Sequence, residues 1–529
     1  MIGHFLKTKI AFSLCALLFF SAQMAAQQND HAVERPNILF ILSDDHTSQS
    51  WGIYGGVLKD YVQNENIKRL AKEGAVLENA FCTNSICTPS RGSILTGQYS
   101  HINQVYTLSE PLPGGHPNIA RELSKDGYQT AIIGKWHLVK PPEGFDYFNV
   151  LPGQGRYWNP VLKTKENWKD GHDSSRGKEY KGFSTDVITD LTIEHLKKRD
   201  TSKPFLMFCN FKATHEPFDY PKRFDSLYIN ELIPEPESLF DFDQSTTGRS
   251  FQGQKLEFLG ERWDKATAEP DKHWTTYPGL PYPLHGLDST QKRKRIYQKL
   301  VKDFMRSGAA IDDNIGKLLD YLETEDIADN TIVIYTADQG YFLGEHGFFD
   351  KRLIYEESLR MPFVIRYPKE IKGGQRVDDI ILNIDFAALL ADYAGISKPE
   401  FIQGESFRGN LRGEAPKNWR TQMYYRYWLH HPRRPAHFGV RNERYKLAFF
   451  YGQALGKKGT DKESTKPAWE LYDLQKDPKE LNNLVADPAY AGIIVKMKNA
   501  ILEERIKYRD LDLDHPIMSE ILSQAFNGR

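Results

Sequence analysis

Cysteine is scarce in this chain, which has only four among its 529 residues. Cys15 lies in an N-terminal segment considered below, which leaves Cys82, Cys87 and Cys209 for the rest of the protein. Secreted domains that depend on disulfides for stability have many more cysteines, usually in an even number. Three cysteines can form one disulfide at most. The composition therefore excludes a disulfide scaffold and leaves at least one thiol that needs another explanation.

The chain also has almost no net charge. Lysine and arginine total 69, and aspartate and glutamate total 70, so the formal charge is −1. This balance argues against a non-specific nucleic-acid-binding protein and against a polybasic membrane-surface protein. With 40% hydrophobic and 26% charged residues, the chain has a globular rather than a disordered composition. We therefore expect no nucleic-acid partner.

Long hydrophobic runs are absent except at the N-terminus, at residues 10–20. This run follows Lys7 and Lys9 and precedes small residues at 25–26, an order typical of a secretory signal peptide over residues 1–26. It is too short for a permanent transmembrane helix, which needs about 20 apolar residues. We predict an exported protein without a membrane span in its mature form, periplasmic if the source is a Gram-negative bacterium and secreted otherwise.

Buried strands and amphipathic helices alternate along the rest of the chain. Continuous apolar runs, typical of strands buried on both faces, occupy residues 37–42, 129–133, 204–210, 331–336 and 362–367. Apolar residues at helical spacing lie between them, at residues 66–74, 119–127, 184–198 and 300–322. This alternation predicts an α/β fold with a large, mostly parallel sheet flanked by helices.

The chain divides into a main domain over residues 27–416 and a smaller C-terminal unit over residues 417–529. Residues 234–287 are rich in Pro, Gly, Asp and aromatic residues without clear periodicity, and we interpret them as a long insertion that shapes the rim of a site. In the C-terminal unit the pattern predicts a hairpin, a further strand and a helix, at residues 438–450, 469–474 and 490–505. We therefore predict a smaller α+β unit with an antiparallel sheet.

Polar side chains follow four of the five predicted strands. Asp44 and Asp45 come after the first, and Asp338 and Gln339 after the fourth. Ligands bind beyond the carboxyl ends of strands in such sheets, and carboxylate and amide oxygens suit hard cations such as Ca²⁺ or Mg²⁺. Adjacent acids also commonly end strands and cap helices, so each pair alone is weak. Together the two pairs predict a metal site.

The most specific motif surrounds Cys87. Pro89 is typical of a first helical turn and Gly97 of a helix end, so residues 87–97 predict a short helix. Cys87 would then lie beside exposed backbone amides at a helix N-terminus, and Arg91 would reach back one turn to the same point. This spacing suggests a thiolate nucleophile, although a single cysteine before a helix is more often a small buried hydrophobe.

The pattern Cys87-x-Pro89-x-Arg91, followed by Leu-Thr-Gly at residues 95–97, resembles the signature of the type I sulfatases, in the alkaline phosphatase superfamily. The resemblance extends over most of the mature chain. It includes Asp44-Asp45 and residues 134–137, 214–215, 338–340, 351 and 470–474. It implies an alkaline-phosphatase-like fold and a sulfuric ester hydrolase.

The resemblance also implies two groups that the chain must acquire. A separate maturing enzyme converts Cys87 to formylglycine, whose hydrated form is a geminal diol that attacks sulfur. A cation, Ca²⁺ with Mg²⁺ as second choice, is held by the residue at position 87 together with Asp44, Asp45, Asp338 and Gln339. Many family members have Asn or His where this chain has Gln339, so the geometry of that ligand differs here.

The remaining roles that the resemblance implies belong to cations and histidines. Arg91 supports the diol, while Lys135 and Lys351 bind the sulfate. His215 protonates the leaving sugar oxygen, and His137 takes a proton from the remaining hydroxyl when the aldehyde is regenerated. Two histidines can divide acid and base work near neutral pH.

The chain is similar to exported bacterial carbohydrate sulfatases, among them members that resemble N-acetylglucosamine-6-sulfatases. We therefore expect a sulfated glycosaminoglycan or mucin-type glycan as substrate, attacked in an exo mode. The first choice is a 6-O-sulfate on N-acetylglucosamine, and the second is a 4-O-sulfate on galactose or N-acetylgalactosamine.

Residues 424–437 are dense in aromatic and basic side chains, which suit sugars and anionic groups, although they could equally form a structural linker. Arg434 and His437 from this segment, and Asp385, are predicted to bind substrate.

Two other functions stay open. A phosphate or phosphonate monoester hydrolase shares the fold and the diol chemistry, and a non-catalytic glycan-binding protein would result if Cys87 stayed a thiol.

Overall fold

The computed structural model describes residues 35–168, 176–244, 254–272 and 277–527. The predicted signal peptide at residues 1–26 lies outside the described residues, as do parts of the predicted insertion. Within the described part of the chain, no helix has the length and apolar character needed to cross a membrane.

The strands that the structure describes are β1 (Asn37–Asp44), β2 (Ala75–Leu77), β3 (Ala80–Phe81), β4 (Gln129–Lys135), β5 (Tyr147–Leu151), β6 (Val161–Leu162), β7 (Lys178–Glu179), β8 (Phe205–Thr214), β9 (Thr331–Ala337), β10 (Phe342–Leu343), β11 (Phe349–Asp350), β12 (Phe363–Arg366), β13 (Gln375–Val377), β14 (Ile381–Leu382), β15 (Gln422–Tyr427), β16 (His437–Asn442), β17 (Tyr445–Phe450) and β18 (Ala468–Asp473).

The α-helices are α1 (Glu65–Glu73), α2 (Cys87–Thr96), α3 (Ser100–Asn103), α4 (Ile119–Lys125), α5 (Ser184–Lys197), α6 (Leu256–Ala268), α7 (Ser289–Thr324), α8 (Glu356–Leu359), α9 (Asp385–Tyr393), α10 (Arg408–Leu411), α11 (Ala491–Lys507) and α12 (Pro516–Asn527).

A sheet of eight strands, in the order β13-β2-β12-β9-β1-β8-β4-β5, forms the centre of the protein. The neighbours β9, β1, β8, β4 and β5 run parallel, and β12 is antiparallel to both β9 and β2. The five predicted strands correspond to β1, β4, β8, β9 and β12. The predicted α/β fold with a mostly parallel sheet is therefore confirmed.

The central strands are buried on both faces because apolar layers cover each side of the sheet. In β1, Ile38, Phe40 and Leu42 point into one hydrophobic cluster, while Leu39 and Ile41 point into another. All five are at most 2% exposed. Two-sided burial explains why the strand reads as a continuous apolar run rather than as an alternating one.

Two helices differ from the sequence-based expectation. Helix α7 begins at Ser289 rather than at residue 300, because Asp288 and Gln291 form a capping box at its start. Its first turns are rich in Lys and Arg, which hides the helical spacing of apolar residues. Helix α6 lies in the predicted insertion, where the pattern showed no periodicity, and it packs against α7 in a third hydrophobic cluster.

The C-terminal part contains an antiparallel sheet in the order β15-β16-β17-β18. Strands β16 and β17 form the predicted hairpin, and β18 and α11 match the predicted strand and helix. One hydrophobic cluster includes residues of this sheet, such as Val440, and of the central sheet, such as Phe40. The domain boundary near residue 417 stays a prediction, since both sheets contribute to one core.

A buried charge cluster ties the small sheet to the segment that follows α11. Arg426, on β15, is 1% exposed and donates hydrogen bonds to Asp510 at 2.6 Å and to Asp512 at 2.7 Å. Arg505 also pairs with Asp512, at 2.5 Å. Although burial alone would raise it, the charge of Arg426 holds the pKa of Asp510 well below its usual range.

Replacing Arg426 by methionine should lower the free energy of unfolding by about 3–5 kcal/mol, because it leaves a buried carboxylate without its partner. Urea unfolding followed by circular dichroism measures this change. As a control, Arg376→Met removes an ion pair whose arginine is 48% exposed, and the loss should stay below about 1 kcal/mol. Equal losses in the two variants would contradict this role of Arg426.

The difference between wild type and Arg426→Met should also depend on pH. A folded-state pKa below the unfolded value of about 3.9 stabilises the fold above that pH and ceases to do so as the pH falls. The stability gap should therefore be full at neutral pH and shrink in acid. A gap that is constant with pH would argue that Arg426 acts through packing alone.

Candidate active site

The carboxyl ends of four neighbouring parallel strands meet at one edge of the central sheet. Asp44 ends β1 and Lys135 ends β4, while Thr214 ends β8 and Asp338 directly follows β9. The register places Asp44 opposite Thr214, and Ser43 opposite the last residue of β9. The parallel topology therefore brings together side chains that lie hundreds of residues apart.

A glycine allows β4 and β8 to approach closely next to this edge. Gly134 has a φ of 101°, and a Cβ built on it would lie 2.0 Å from the carbonyl oxygen of Asn210. The Asn210 side-chain amide donates a hydrogen bond of 2.9 Å to the carbonyl of Lys135. This close approach fixes the backbone from which the Lys135 side chain extends.

Cys87 is the first residue of helix α2, as the motif predicted, and Gly97 ends the helix in a left-handed conformation. The thiol is 1% exposed. Its Sγ lies 3.8 Å from Oδ1 of Asp45 and 3.9 Å from Nε2 of Gln339. The helix therefore places position 87 next to the pairs Asp44-Asp45 and Asp338-Gln339 at the sheet edge.

The environment of Cys87 does not favour an ionised thiol. Burial raises its pKa well above the ordinary value, and the charges of Asp44 and Asp45 act in the same direction. A thiol in such surroundings is a poor nucleophile, since the thiolate is the reactive form. The surroundings of Cys87 therefore do not favour the thiolate nucleophile that the spacing suggested.

The four oxygen-bearing side chains form a single cluster around position 87. The backbone N–H of Asp45 donates to Oδ1 of Asp338 at 3.0 Å, and the Gln339 amide contacts the Asp45 carboxylate. Oδ1 of Asp44 and Oε1 of Gln339 are buried and accept no hydrogen bond from any residue that the structure describes. Buried oxygens without a hydrogen-bond donor are favourable ligands for a cation.

The carboxylates of this cluster oppose one another electrostatically. Burial raises the pKa of Asp338 to about 7, and the charges of Asp44 and Asp45 add to that shift. Burial and the charge of Asp44 likewise raise the pKa of Asp45. A hard divalent cation would favour the ionised forms, so this donor set, with its unpartnered oxygens, fits Ca²⁺ or Mg²⁺.

Three predicted cations surround the same cluster, and each pairs with at least one of its acids. Lys135 contacts the Asp44 carboxylate and donates to Gln154 at 2.6 Å. Lys351 donates to Asp45 at 2.5 Å. The third cation, Arg91, donates from Nε to Asp338 at 2.9 Å.

The two predicted histidines lie at the same sheet edge. His215 is 18% exposed at its side chain, with Nε2 3.8 Å from Oδ2 of Asp45 and Nδ1 2.8 Å from the carbonyl oxygen of Glu216. Burial holds the pKa of His215 well below its ordinary value, so the ring is neutral. His137 follows β4 by two residues and has a φ of 57°.

Asp385, predicted to bind a sugar hydroxyl, has its carboxylate enclosed by the fold in this structure. Asp385 is fully buried at the start of α9, where its carboxylate accepts hydrogen bonds from the backbone N–H of Leu382 at 2.7 Å and of Glu405 at 2.8 Å. Arg420 pairs with both of its oxygens. These contacts use the carboxylate within the fold, so its role is structural.

His437, also predicted to bind substrate, has its ring inside the small sheet in this structure. Residues 422–427 form β15, and His437 lies opposite Tyr427 on β16. The His437 ring is fully buried, 5.4 Å from the ring of Tyr427 and 4.6 Å from that of Phe450. The aromatic residues of this segment therefore pack in the core of the small sheet rather than on a sugar.

Arg434 has a different setting from His437. Its guanidinium lies 3.4 Å from Asp350, the residue before Lys351. It also lines a cavity of about 290 Å³ between the 431–434 segment and α6. We name it the basic cavity. Five of its lining residues are basic and one, Glu261, is acidic; the basic ones are Arg262, Lys265, His431, Arg433 and Arg434.

Lys212 is a charged residue at this edge that the sequence did not single out. It lies on β8, is 3% exposed, and faces a second cavity that His215 also lines. The signal that could have revealed it is a lysine within an otherwise apolar strand, between Phe211 and Ala213.

Two family models match the chain. The sulfatase model matches residues 36–396, and a model described as the C-terminal part of N-sulphoglucosamine sulphohydrolase matches residues 344–507.

Relatives of known name match most of the chain. An N-acetylglucosamine-6-O-sulfatase from Bacteroides thetaiotaomicron is 35% identical, over 96% of this chain and 93% of that protein. An N-acetylglucosamine-6-sulfatase from Capra hircus is 26% identical, over 73% of this chain and 66% of that protein.

A solved protein in complex with its substrate, D-glucosamine-2-N,6-O-disulfate, is 34% identical and superposes with a TM-score of 0.79. The match covers 91% of this chain and 100% of that one. Together with the sulfatase model, which matches more than half of the residues, these similarities show that this chain belongs to the sulfatase family and is a sulfuric ester hydrolase.

Proposed function

We propose that the protein removes a 6-O-sulfate from N-acetylglucosamine or a closely related glucosamine in a glycosaminoglycan or mucin-type glycan. The similarity to N-acetylglucosamine-6-O-sulfatases supports this choice of sugar and position. We further propose an exo mode and export to the periplasm or outside the cell, with a formylglycine-forming enzyme as the maturation partner.

One observation carries the proposal: three buried cations contact the three carboxylates that lie around position 87. Lys135 contacts Asp44, Lys351 contacts Asp45, and Arg91 contacts Asp338 and lies 3.6 Å from Asp44. A sulfate ester is anionic, and its oxygens repel an incoming nucleophile. Fixed positive charges remove that repulsion and stabilise the charge that develops in the transition state.

Two groups complete the proposed site. A hydrated aldehyde made from Cys87 would supply the oxygen nucleophile, and a bound Ca²⁺ ion would supply positive charge next to the sulfate. Asp44, Asp45, Asp338 and Gln339 would hold the cation, since two of their buried oxygens accept no hydrogen bond within the described residues. Arg91 holds Asp338 in place, and its Nη1 donates to the carbonyl of Lys135 at 2.9 Å.

The chain's own residues bind the ester and move the protons. Lys135 and Lys351 orient the sulfate by direct contact. The ring of His215 is fixed through Nδ1 by the Glu216 carbonyl, so Nε2 is the atom that gives a proton to the leaving sugar oxygen. Binding of the anionic substrate raises the low pKa of His215, so that Nε2 becomes protonated. His137, at the same edge, would take the proton of the remaining hydroxyl at position 87 when the aldehyde is regenerated.

Arg434 and the basic cavity would contact parts of the glycan beyond the scissile sulfate. The cavity brings together several cations beside Asp350, which precedes the sulfate-binding Lys351. Burial, together with the charge of Arg352, lowers the pKa of Arg434. Carboxylates or further sulfates of an anionic glycan have the charge that such a cavity attracts.

The substrate is tested by measuring inorganic sulfate release from a panel of singly sulfated monosaccharides. The protein is produced together with a formylglycine-forming enzyme. We expect release from N-acetylglucosamine-6-sulfate and its loss in Cys87→Ala, because the nucleophile is gone. Cys209→Ala is the matched control, since this buried cysteine lies within β8 away from the cluster, and its activity should persist.

Other outcomes of the panel would contradict the proposal in distinct ways. Release only from 4-sulfated galactose or N-acetylgalactosamine would overturn the position. Faster hydrolysis of phosphate or phosphonate monoesters would favour the related hydrolases of this fold. An unmodified Cys87 in protein from the native host, with no turnover, would favour a glycan-binding protein.

Calcium should stabilise the folded protein through the acidic cluster. A ligand present at 100 times its Kd adds about 2.7 kcal/mol to the free energy of unfolding. Thermal unfolding with and without Ca²⁺ measures the effect, which should be lost in Asp45→Asn. Asp312→Asn removes a buried carboxylate that only caps α1, and should keep the full shift. A shift that survives in Asp45→Asn would place the ion elsewhere.

Replacing His215 by alanine should slow hydrolysis most for substrates whose leaving group needs protonation. Loss of a general acid lowers kcat by about 10²–10⁴-fold for a sugar alcohol. An aryl sulfate needs no protonation because a phenolate leaves unaided, so its loss should be much smaller. Steady-state kinetics on both substrates decide the matter, and equal losses would argue that His215 only binds sulfate.

A further inference from the structure

A cavity of about 240 Å³ opens beside the proposed proton donor. We call it the Trp158 pocket; the residues used here are Tyr157, Trp158, Lys212, His215, Glu216 and Asp219. Pockets for drug-sized ligands span roughly 300–1,000 Å³, so this one suits a single sugar ring. Its position next to His215 puts it on the side where the leaving group must lie.

The aromatic wall of the pocket is built to face a ligand. The Trp158 side chain is 40% exposed, although tryptophan is usually covered in folded proteins. Its ring packs edge-to-face against Phe183, with ring centroids 5.3 Å apart. The nearby Asp219 carboxylate accepts a hydrogen bond from the backbone N–H of Tyr220 at 2.8 Å. Part of the indole therefore stays open to a ligand, as a stacking platform for a sugar requires.

The wall is also tied to the reaction centre. The hydroxyl of Tyr157 donates a hydrogen bond of 2.6 Å to the backbone carbonyl of His215. Glu216, the next residue, pairs with Arg262 at 2.7 Å, and Arg262 lines the basic cavity. A ligand seated in the pocket therefore lies against the same backbone that carries the proton donor.

Lys212 supplies the charge of the pocket. Lys135 and Lys351 are each paired with an aspartate, whereas Lys212 makes no side-chain hydrogen bond or ion pair within the described ranges. Its ammonium lies over the Tyr157 ring at 4.8 Å. Burial, with the charge of Lys135, lowers the pKa of Lys212 to about 8, so it still carries its charge at neutral pH. A buried cation without an anion is unfavourable until a ligand provides one.

We propose that the Trp158 pocket is the sugar-binding subsite, in which Trp158 packs against the ring and Lys212 binds a sulfate group of the substrate. Asp219, which lines the same pocket, accepts a hydrogen bond from a sugar hydroxyl. This inference rests on the proposed sulfated-sugar substrate. It adds specificity residues that lie outside the sulfatase motif residues.

The test uses calorimetric binding to the Cys87→Ala protein, which does not turn over. The probes are inorganic sulfate, N-acetylglucosamine-6-sulfate and D-glucosamine-2-N,6-O-disulfate. Adding Trp158→Ala should weaken both sugars about tenfold and leave inorganic sulfate unchanged, because only a sugar ring contacts the indole. Tyr147→Ala removes a similarly exposed aromatic ring on β5 and should bind all three probes as the parent does.

Lys212→Met keeps the length of the side chain and removes its charge. We expect at least a tenfold loss of affinity for sulfated sugars. Losses with both sugars would place the ammonium at the scissile sulfate, and a loss confined to the disulfated sugar would place it at a second sulfate. Parent-like binding in both Trp158→Ala and Lys212→Met would overturn the subsite. A parent protein that binds neither sugar would instead contradict the proposed substrate.

Discussion

Charge balance among buried groups at one sheet edge is the constraint on which the rest of the structure depends. Asp44, Asp45 and Asp338 are each at most 1% exposed, and each contacts a cation that is itself nearly buried. Carboxylates this close repel one another, so the fold must supply positive charge. The same charges that make the site stable when folded are those that an anionic ester needs. Stability and chemistry therefore follow from one arrangement.

Much of this site could be predicted because its residues follow strands that read as continuous apolar runs. Parallel topology makes the ends of β1, β4, β8 and β9 converge, so polar residues after each run had to meet. The short helix at Cys87 was predictable from Pro89 and Gly97. The sequence pattern could not predict which aspartate each lysine contacts, because this depends on how far the side chains extend across the sheet.

The substrate-facing residues were the least predictable part. The composition of residues 424–437 predicts substrate contacts for Arg434 and His437, and a position after an apolar run predicts one for Asp385. In the structure β16 is buried on both faces, His437 included, and the Asp385 carboxylate pairs with Arg420. Lys212 could not be predicted, because one lysine in an apolar run gives no spacing pattern. Sugar contacts come from loops and insertions whose placement depends on the whole fold. Sequence patterns therefore identify the chemistry better than the ligand.

The central claim is that a nucleophile at position 87 attacks sulfur while His215 protonates the sugar oxygen. Hydrolysis in water enriched in heavy oxygen, followed by mass spectrometry of both products, tests it most directly. The account predicts label in the inorganic sulfate and none in the sugar hydroxyl, because the sulfur–oxygen bond breaks. Label in the sugar hydroxyl would mean that the carbon–oxygen bond breaks, and would contradict the account.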